Sequence, residues 1–338
     1  MKAVGYKQPS PIQSPESLID ITLPEPVAAG HDLLVEVKAI SVNPVDMKVR
    51  AGSAPLAGDE YRVLGWDAAG VVKAVGPDVT AFRPGDEVFY AGTITRPGTN
   101  AEFHLVDARI VGRKPRTLDF VHAAALPLTS LTAWEILFDR LGVKHGKPVG
   151  TGSVLVIGGA GGVGSILIQL ARKLTGLTVI ATASRPETRK WCLNLGAHFV
   201  IDYNQPFAPQ LKAIGIPEVE YITSLTATDV HYPAFLEVLA PQGHVAVIDD
   251  PKTLDVKPMK RKSAALHWEL MFTRSIYSTS DMIAQQQILN EVADLVDEGI
   301  IRTTLAHNFG LVNAENLRRA HELIESGKSY GKIVLSWS

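Results

Sequence analysis

The sequence predicts an α/β protein built on a doubly wound parallel sheet, with a β-rich region ahead of it. From about residue 126, short apolar strands alternate with amphipathic helices, the rhythm of strand–helix–strand units. Several of those strands are continuous apolar runs such as "VLVI" (Val154–Ile157), the pattern of a sheet covered on both faces. A glycine-rich turn, "GGAGGVG" (Gly158–Gly164), joins the first of these strands to a helix.

The segment 1–125 has a β texture. "LLVEVKAI" (Leu33–Ile40), "AAGVVKAVG" (Ala68–Gly76), "GDEVFYAG" (Gly85–Gly92) and "AEFHLVDARIV" (Ala101–Val111) are separated by Gly, Pro and Asp turn signals, the pattern of a barrel or sandwich. The segment 126–276 carries the alternation, beginning with strand "VLVIG" and a helix from Gly162 to Leu174. Strand "TVIATA" (Thr178–Ala183), helix "PETRKWCLNLG" (Pro186–Gly196) and strand "FVIDY" (Phe199–Tyr203) follow. Strand "EYITSL" (Glu220–Leu225), helix "YPAFLEVLA" (Tyr232–Ala240) and strand "HVAVID" (His244–Asp249) complete it. The segment 277–338 adds helices Asp281–Gly299 and Asn313–Gly327 and a closing strand "GKIVLSW" (Gly331–Trp337). Pattern alone leaves open whether these extend the α/β sheet or fold back onto the first region.

With 338 residues and 46% hydrophobic content, the chain can bury a large core. Lys+Arg 33 against Asp+Glu 35 leaves a net charge of -2, so there is no cationic excess for nucleic acid or anionic lipid. The basic cluster "KPMKRK" (Lys257–Lys262) reads as a solvated loop. A single cysteine, Cys192, excludes an internal disulfide and any multi-cysteine zinc cage. The start, "MKAVGYKQPS", lacks an apolar export segment, so the expectation is cytoplasmic. Pro148 to Ala171 is uncharged and Gly158/Gly162 matches GxxxG, yet the glycine density and the β-branched run argue for strand and helix rather than a membrane span.

Gly159, Gly161 and Gly164 spell GxGxxG between an apolar strand and a helix whose Val163, Leu167, Leu170 and Leu174 share one face. Such a turn brings a pyrophosphate against the free N–H groups of the helix start, at Gly162, Val163 and Gly164. The alternative is a tight turn that binds nothing. A phosphate loop of the Gly-Lys-Ser/Thr type is excluded. An NAD site places an acid about 20 residues on, to bond the ribose hydroxyl. Here no acid stands between Gly164 and Glu187, and Ser184 with Glu187 reads as a capping box for the helix that Gly196 closes. Arg185 beside that helix start suits a 2′-phosphate, or is an ordinary surface cation. The expected cofactor is NADPH.

Taken together, "VNPVDMKVRAG" (Val42–Gly52), "LGWDAAGVVKAVG" (Leu64–Gly76), "GDEV" (Gly85–Val88), "LTAW" (Leu131–Trp134), the glycine loop and "GKIVL" (Gly331–Leu335) resemble the medium-chain dehydrogenase/reductase superfamily, over essentially the whole chain. Within the superfamily the chain resembles the quinone oxidoreductase branch, particularly members often labelled zinc-type alcohol dehydrogenase-like. The resemblance implies a GroES-like catalytic domain over 1–125 to which 277–338 returns, a Rossmann domain over 126–276, the nicotinamide between them, and a homodimer.

Zinc-dependent members ligate metal where this chain has Asn43, Trp66 and about Leu128. An indole and an alkyl group cannot ligate zinc, so no metal is expected. Without a Lewis acid, simple alcohols are poor substrates and conjugated acceptors are favoured. The resemblance therefore implies NADPH-dependent reduction of a quinone or α,β-unsaturated carbonyl. The competing readings are a zinc alcohol dehydrogenase and a protein that binds NADPH without turnover.

By resemblance Asn43 is a pocket amide for the substrate oxygen, or else a turn residue before Pro44. Asp46 and Leu128 count among the pocket residues, Asp46 orienting the loop rather than touching substrate, and Lys48 stabilises the developing oxyanion or supplies the proton, or else is a solvated lysine. Trp66 lines the pocket or packs in a core. Thr132 meets the nicotinamide end and Tyr203 flanks the adenosine phosphate, while Trp268 in "LHWELMF" (Leu266–Phe272) is a substrate wall, a dimer surface or core.

Overall fold

The structure, a computed structural model, describes residues 1–146 and 152–337. The chain divides into two compact units, Met1–Leu131 with Phe272–Ser338, and Thr132–Met271.

The unit Thr132–Met271 contains a six-stranded sheet. Its strands lie in the order Phe199–Ile201, Thr178–Thr182, Ser153–Ile157, Val219–Ser224, Leu239–Val247, Ala265–Trp268, all parallel. The chain winds outward from Ser153–Ile157 to one edge and then returns to its other side. The end of that strand is thus a topological switch point, where doubly wound sheets bind ligands. Five consecutive buried residues, Ser153 to Ile157, explain its place at the centre. The following helix, Gly162–Leu174, starts and ends where the sequence pattern puts it and buries Ile166, Leu167, Ile168, Leu170 and Leu174. Each such side chain contributes about 1.5–3 kcal/mol on burial. Leu155, Ile157, Ile222, Val245 and Val247 form one core face of the sheet, packed with Phe207 and Phe235.

The other unit carries a seven-stranded sheet. Leu305–Leu311, Lys332–Ser336, Asp32–Val42, Ala68–Val75, Glu87–Tyr90 and Val111–Arg113 lie in that order, and Phe103–Asp107 also pairs with Asp32–Val42. Strand Lys332–Ser336 runs antiparallel to Asp32–Val42. A small sheet of Ile19–Thr22, Lys2–Tyr6 and Arg62–Val63 completes the unit's strands.

Several local expectations need correction. The β-textured region contains the helix Pro44–Gly52, which starts on a proline suited to the first helical position. The helix expected over Tyr232–Ala240 runs over Thr228–Val238, because Asp249 accepts the Thr228 N–H at 2.9 Å and caps it from 21 residues away. Lys257–Lys262 is a 3-10 helix rather than a loop, pinned by buried Met259 and by Lys262 donating to Leu239 O. Of the uncharged stretch, residues 148–151 lie outside the described residues, and Ser153 onward is the strand and helix above.

Candidate functional site

The glycine loop is built by close approach. A Cβ on Gly164 would lie 2.4 Å from Gly158 O and 2.7 Å from Gly159 O, so only hydrogen lets the helix pack on the turn that feeds it. A Cβ on Gly159 would lie 2.8 Å from the Ala181 Cβ and 3.3 Å from the Cys192 Sγ. Gly158 has φ +78°, and its N–H is held by Thr182 Oγ1 at 3.1 Å. The Gly161 N–H donates to Gly158 O at 3.0 Å, which closes the turn.

Gly161 is the N-cap and offers no side-chain cap, so the backbone N–H groups that open the helix have no capping side chain. Gly161 is exposed and Gly162 and Val163 are half-buried, which leaves this end approachable. An uncapped, approachable helix start beside a glycine cradle fits the pyrophosphate of a dinucleotide. Behind it, Ser165 Oγ donates to Gly161 O at 2.7 Å and accepts the Trp191 indole N–H at 2.8 Å, tying the next helix, Pro186–Leu195, to the loop. Thr226 lies beside the turn, its Cγ2 3.0 Å from where a Gly158 Cβ would stand. Sequence reasoning missed Thr182, Ser165, Trp191 and Thr226; only their closeness in space marks them.

At the end of strand Thr178–Thr182 the expected capping box is absent. Pro186 occupies the first turn, Arg185 is the N-cap, and no side chain caps the helix. The Ser184 hydroxyl donates instead to Tyr203 OH at 2.7 Å. Arg185 pairs with Glu187 at 3.3 Å. Ser184, Arg185 and Tyr203 thus gather beyond the strand ends, and Gly196 closes the helix at φ +111°. The set, two hydroxyls and a guanidinium with no carboxylate on the strand end, fits a phosphate on the adenosine ribose. Thr132 is buried on helix Pro127–Trp134, and Trp268, 56% exposed, sits on the edge strand of the sheet.

In the unit Met1–Leu131 with Phe272–Ser338, two of the three positions at which zinc-dependent members hold metal, Asn43 and Leu128, bond to Asp67. This carboxylate is fully buried and accepts four hydrogen bonds. Its Oδ1 takes the Leu128 N–H at 2.8 Å. Its Oδ2 takes Ser41 Oγ at 2.8 Å, Asn43 Nδ2 at 2.8 Å and Lys332 Nζ at 3.0 Å. Lys332, 3% exposed, also donates to Val42 O at 3.0 Å and to Asn43 Oδ1. The Asn43 amide is therefore engaged at both ends, and the expectation that it meets a substrate oxygen is corrected. Asp46 is not a pocket residue either. It is buried and accepts the Asn43 N–H at 2.8 Å, fixing the start of the helix. Burial pushes its carboxyl up to about 7, against the Asn43 N–H and the Lys332 charge.

Leu128 is buried, with its backbone rather than its side chain in this network. Trp66, 1% exposed, is a packed residue: its indole N–H donates to Thr93 O at 3.1 Å and its ring meets Phe272 edge-on at 6.4 Å. Lys48 is exposed on the helix Pro44–Gly52. Sequence reasoning missed Asp67 and Lys332; a lysine heading the apolar run "KIVL" was the available hint. An amide already engaged, an indole and an alkyl chain do not fit zinc. Among the described residues, no group of three or more His, Cys, Asp or Glu side chains is placed to hold a metal ion.

The same unit contains a cavity of about 250 Å³. One wall is Gly92, Thr93, Thr95 and Arg96; others come from His104, Ile110 and Met282. Burial pushes His104 down to about 4, so its ring is neutral there. Its Nε2 meets Pro97 O at 3.0 Å and its Nδ1 meets Tyr90 OH at 3.1 Å.

A parallel sheet with a glycine cradle at its switch point, joined to a β-rich unit, defines a dinucleotide-type oxidoreductase fold. Comparison with known proteins agrees. Residues 29–116 match the alcohol dehydrogenase GroES-like domain and residues 195–335 match the zinc-binding dehydrogenase domain. A zinc-type alcohol dehydrogenase-like protein of Staphylococcus aureus is 40% identical over 338 residues, 99% of this chain and 100% of its own. The quinone oxidoreductase of Homo sapiens is 30% identical over 92% of this chain and 90% of its own.

Among solved structures, a protein from Rhizobium etli described as a zinc-dependent alcohol dehydrogenase is 58% identical, with a TM-score of 0.96 over 99% of this chain and 98% of that one. A mycobacterial protein complexed with NADPH is 28% identical, with a TM-score of 0.84 over 99% and 100%. An NAD-dependent alcohol dehydrogenase is 27% identical, with a TM-score of 0.83 over 99% of each chain. The chain belongs to the medium-chain dehydrogenase/reductase family, among its alcohol dehydrogenase-like and quinone oxidoreductase members, and is an oxidoreductase of that type.

Proposed function

We propose that the chain reduces quinones or α,β-unsaturated carbonyls with NADPH and without a metal. One observation carries the reading: the family's three metal-ligating positions are an amide engaged by Asp67 and Lys332, an indole bonded to Thr93 O, and an alkyl chain. A conjugated acceptor suits such a site because its reduced form spreads negative charge over several atoms and needs only hydrogen bonds and a proton.

When bound, the reduced nicotinamide supplies the hydride. Gly159, Gly161, Gly162, Val163 and Gly164 hold the pyrophosphate, and Ser184, Arg185 and Tyr203 hold the 2′-phosphate. Thr132 faces the nicotinamide end. The acceptor occupies the cavity walled by Gly92 and Thr93, which Trp66 supports from behind through Thr93 O. Lys48 holds a proton at Nζ and delivers it to the acceptor's oxygen. The protein works in the cytoplasm as a homodimer, with Trp268 and Leu270, both about half exposed, on the joining surface.

The test is oxidation of NADPH and of NADH against quinones, enones, aldehydes and alcohols. The expected result is turnover of quinones or enones with NADPH preferred, and a Lys48→Ala variant whose kcat falls far more than its NADPH affinity. Turnover confined to alcohols, or none with any acceptor, overturns the proposal.

A further inference from the structure

The wall Gly92–Arg96 is held from behind by two side chains. Trp66 donates its indole N–H to Thr93 O, and Arg62 donates from Nη2 to Ile94 O at 2.7 Å. The two stack, with the Arg62 guanidinium carbon 5.9 Å from the Trp66 ring centroid. Arg62 is 4% exposed, and its Nε and Nη1 are buried with no hydrogen-bond partner among the described residues. Arg62 stands behind this wall, and the ion-paired charges that do line the cavity are neutralised by contact. Arg96 makes a two-pronged pair with Asp32 at 2.7 and 2.9 Å, and Asp107 pairs with Arg109 at 2.7 Å. Among the described residues Arg62 has no carboxylate in ion-pair contact; Asp59, which acts on it at longer range, is exposed.

A buried cation whose charge no contact cancels is costly to keep, and its field is weakly screened where water is excluded. It lowers the energy of any negative charge that forms nearby, as preorganised donors do in oxyanion sites. Resting on the reading above, we propose that Arg62 is a fixed cation behind the acceptor site, acting through the Trp66-backed wall to stabilise the oxyanion that forms as a conjugated carbonyl is reduced. Arg62 is on this account a positioning residue that sets an electrostatic field. It favours acceptors whose oxygen gains charge early in the reaction and ligands that resemble that oxyanion.

Two measurements test this. In the first, kcat with NADPH is measured for a series of ring-substituted benzylideneacetones. Arg62→Met is expected to lower kcat about ten- to a hundred-fold, most for the electron-rich members, so that the substituent dependence steepens. Arg62→Lys is expected to keep the wild-type slope, and neither variant is expected to shift the KM for NADPH. An unchanged slope in Arg62→Met overturns the proposal.

The second needs no turnover and no variant that might misfold. Calorimetric titration of the wild-type protein and of the exposed-site variant Lys48→Ala with 4-nitrophenol, below and above its ionisation, should show the phenolate binding about tenfold more tightly to both. Equal affinity for the two forms overturns the proposal. A protein that reduces none of the enones yet prefers the phenolate would count against the proposed reaction and for the cation.

Discussion

Replacing Lys332 by Met removes the ammonium that closes the Asp67 cluster while keeping most of the apolar stem. Lys332 is 3% exposed and Asp67 is fully buried, so solvent does not compensate the loss. Breaking a buried pair by deleting one partner costs about 3–5 kcal/mol, chiefly the penalty of an uncompensated charge. Asp67 would keep three donors, Ser41 Oγ, Asn43 Nδ2 and the Leu128 N–H, which places the loss toward the lower end. Asn43 Oδ1 and Val42 O would also lose their donor. Asp67→Asn alone removes the other charge, and the double variant removes both. Urea denaturation of the four proteins then gives a coupling energy, expected at about 2 kcal/mol or more because the groups touch. Additive losses, within about 0.5 kcal/mol, would refute the view that this pair holds the cluster together.

Gly164→Ala should cost about 1–3 kcal/mol in stability, because its Cβ meets backbone oxygens at 2.4 and 2.7 Å. Gly161→Ala should stay within about 0.5 kcal/mol, its Cβ meeting Gly158 O at an ordinary 3.4 Å, yet weaken NADPH binding; thermal denaturation and a fluorescence titration separate the two effects. Arg185→Ala should reduce the preference for NADPH over NADH by about one to two decades, matching a charge-assisted bond of about 1.5–3 kcal/mol. His321 is fully buried with both ring nitrogens unpartnered among the described residues, and burial holds it down to about 3. Its folded value lies below the unfolded one, so the native state resists a proton that the unfolded chain takes up. Stability is then lost as pH falls from about 6.5 toward 3, by up to about 1.4 kcal/mol per pH unit. His321→Leu should flatten that slope in denaturation curves recorded across the range.

What the sequence discloses is what neighbours along the chain decide. The central strand Ser153–Ile157 is legible because it is a short uninterrupted apolar run, and the helix Gly162–Leu174 because its glycines, apolar face and end are all local, whereas the edge strand Ala265–Trp268, with a histidine and an exposed tryptophan, does not read as a strand. Legibility fails where a distant group wins. The Ser184-x-x-Glu187 pattern suits a cap, but Tyr203 takes the Ser184 hydroxyl and Pro186 takes the first turn. The helix at Thr228 starts early because Asp249 reaches it across the sheet. Asn43 reads as a pocket amide until Lys332, 289 residues away, is seen to occupy its oxygen. Arg62 has no motif, and its distinction is a missing counter-charge that only three dimensions reveal.

The central claim is that this oxidoreductase works on conjugated acceptors without a metal. It is tested most directly by assaying NADPH-dependent quinone and enone reduction on protein exhaustively treated with chelator, with bound metal quantified on the same sample. The account predicts undiminished turnover at well below one metal per chain. Activity that disappears on chelation, returns with zinc and extends to simple alcohols would contradict it.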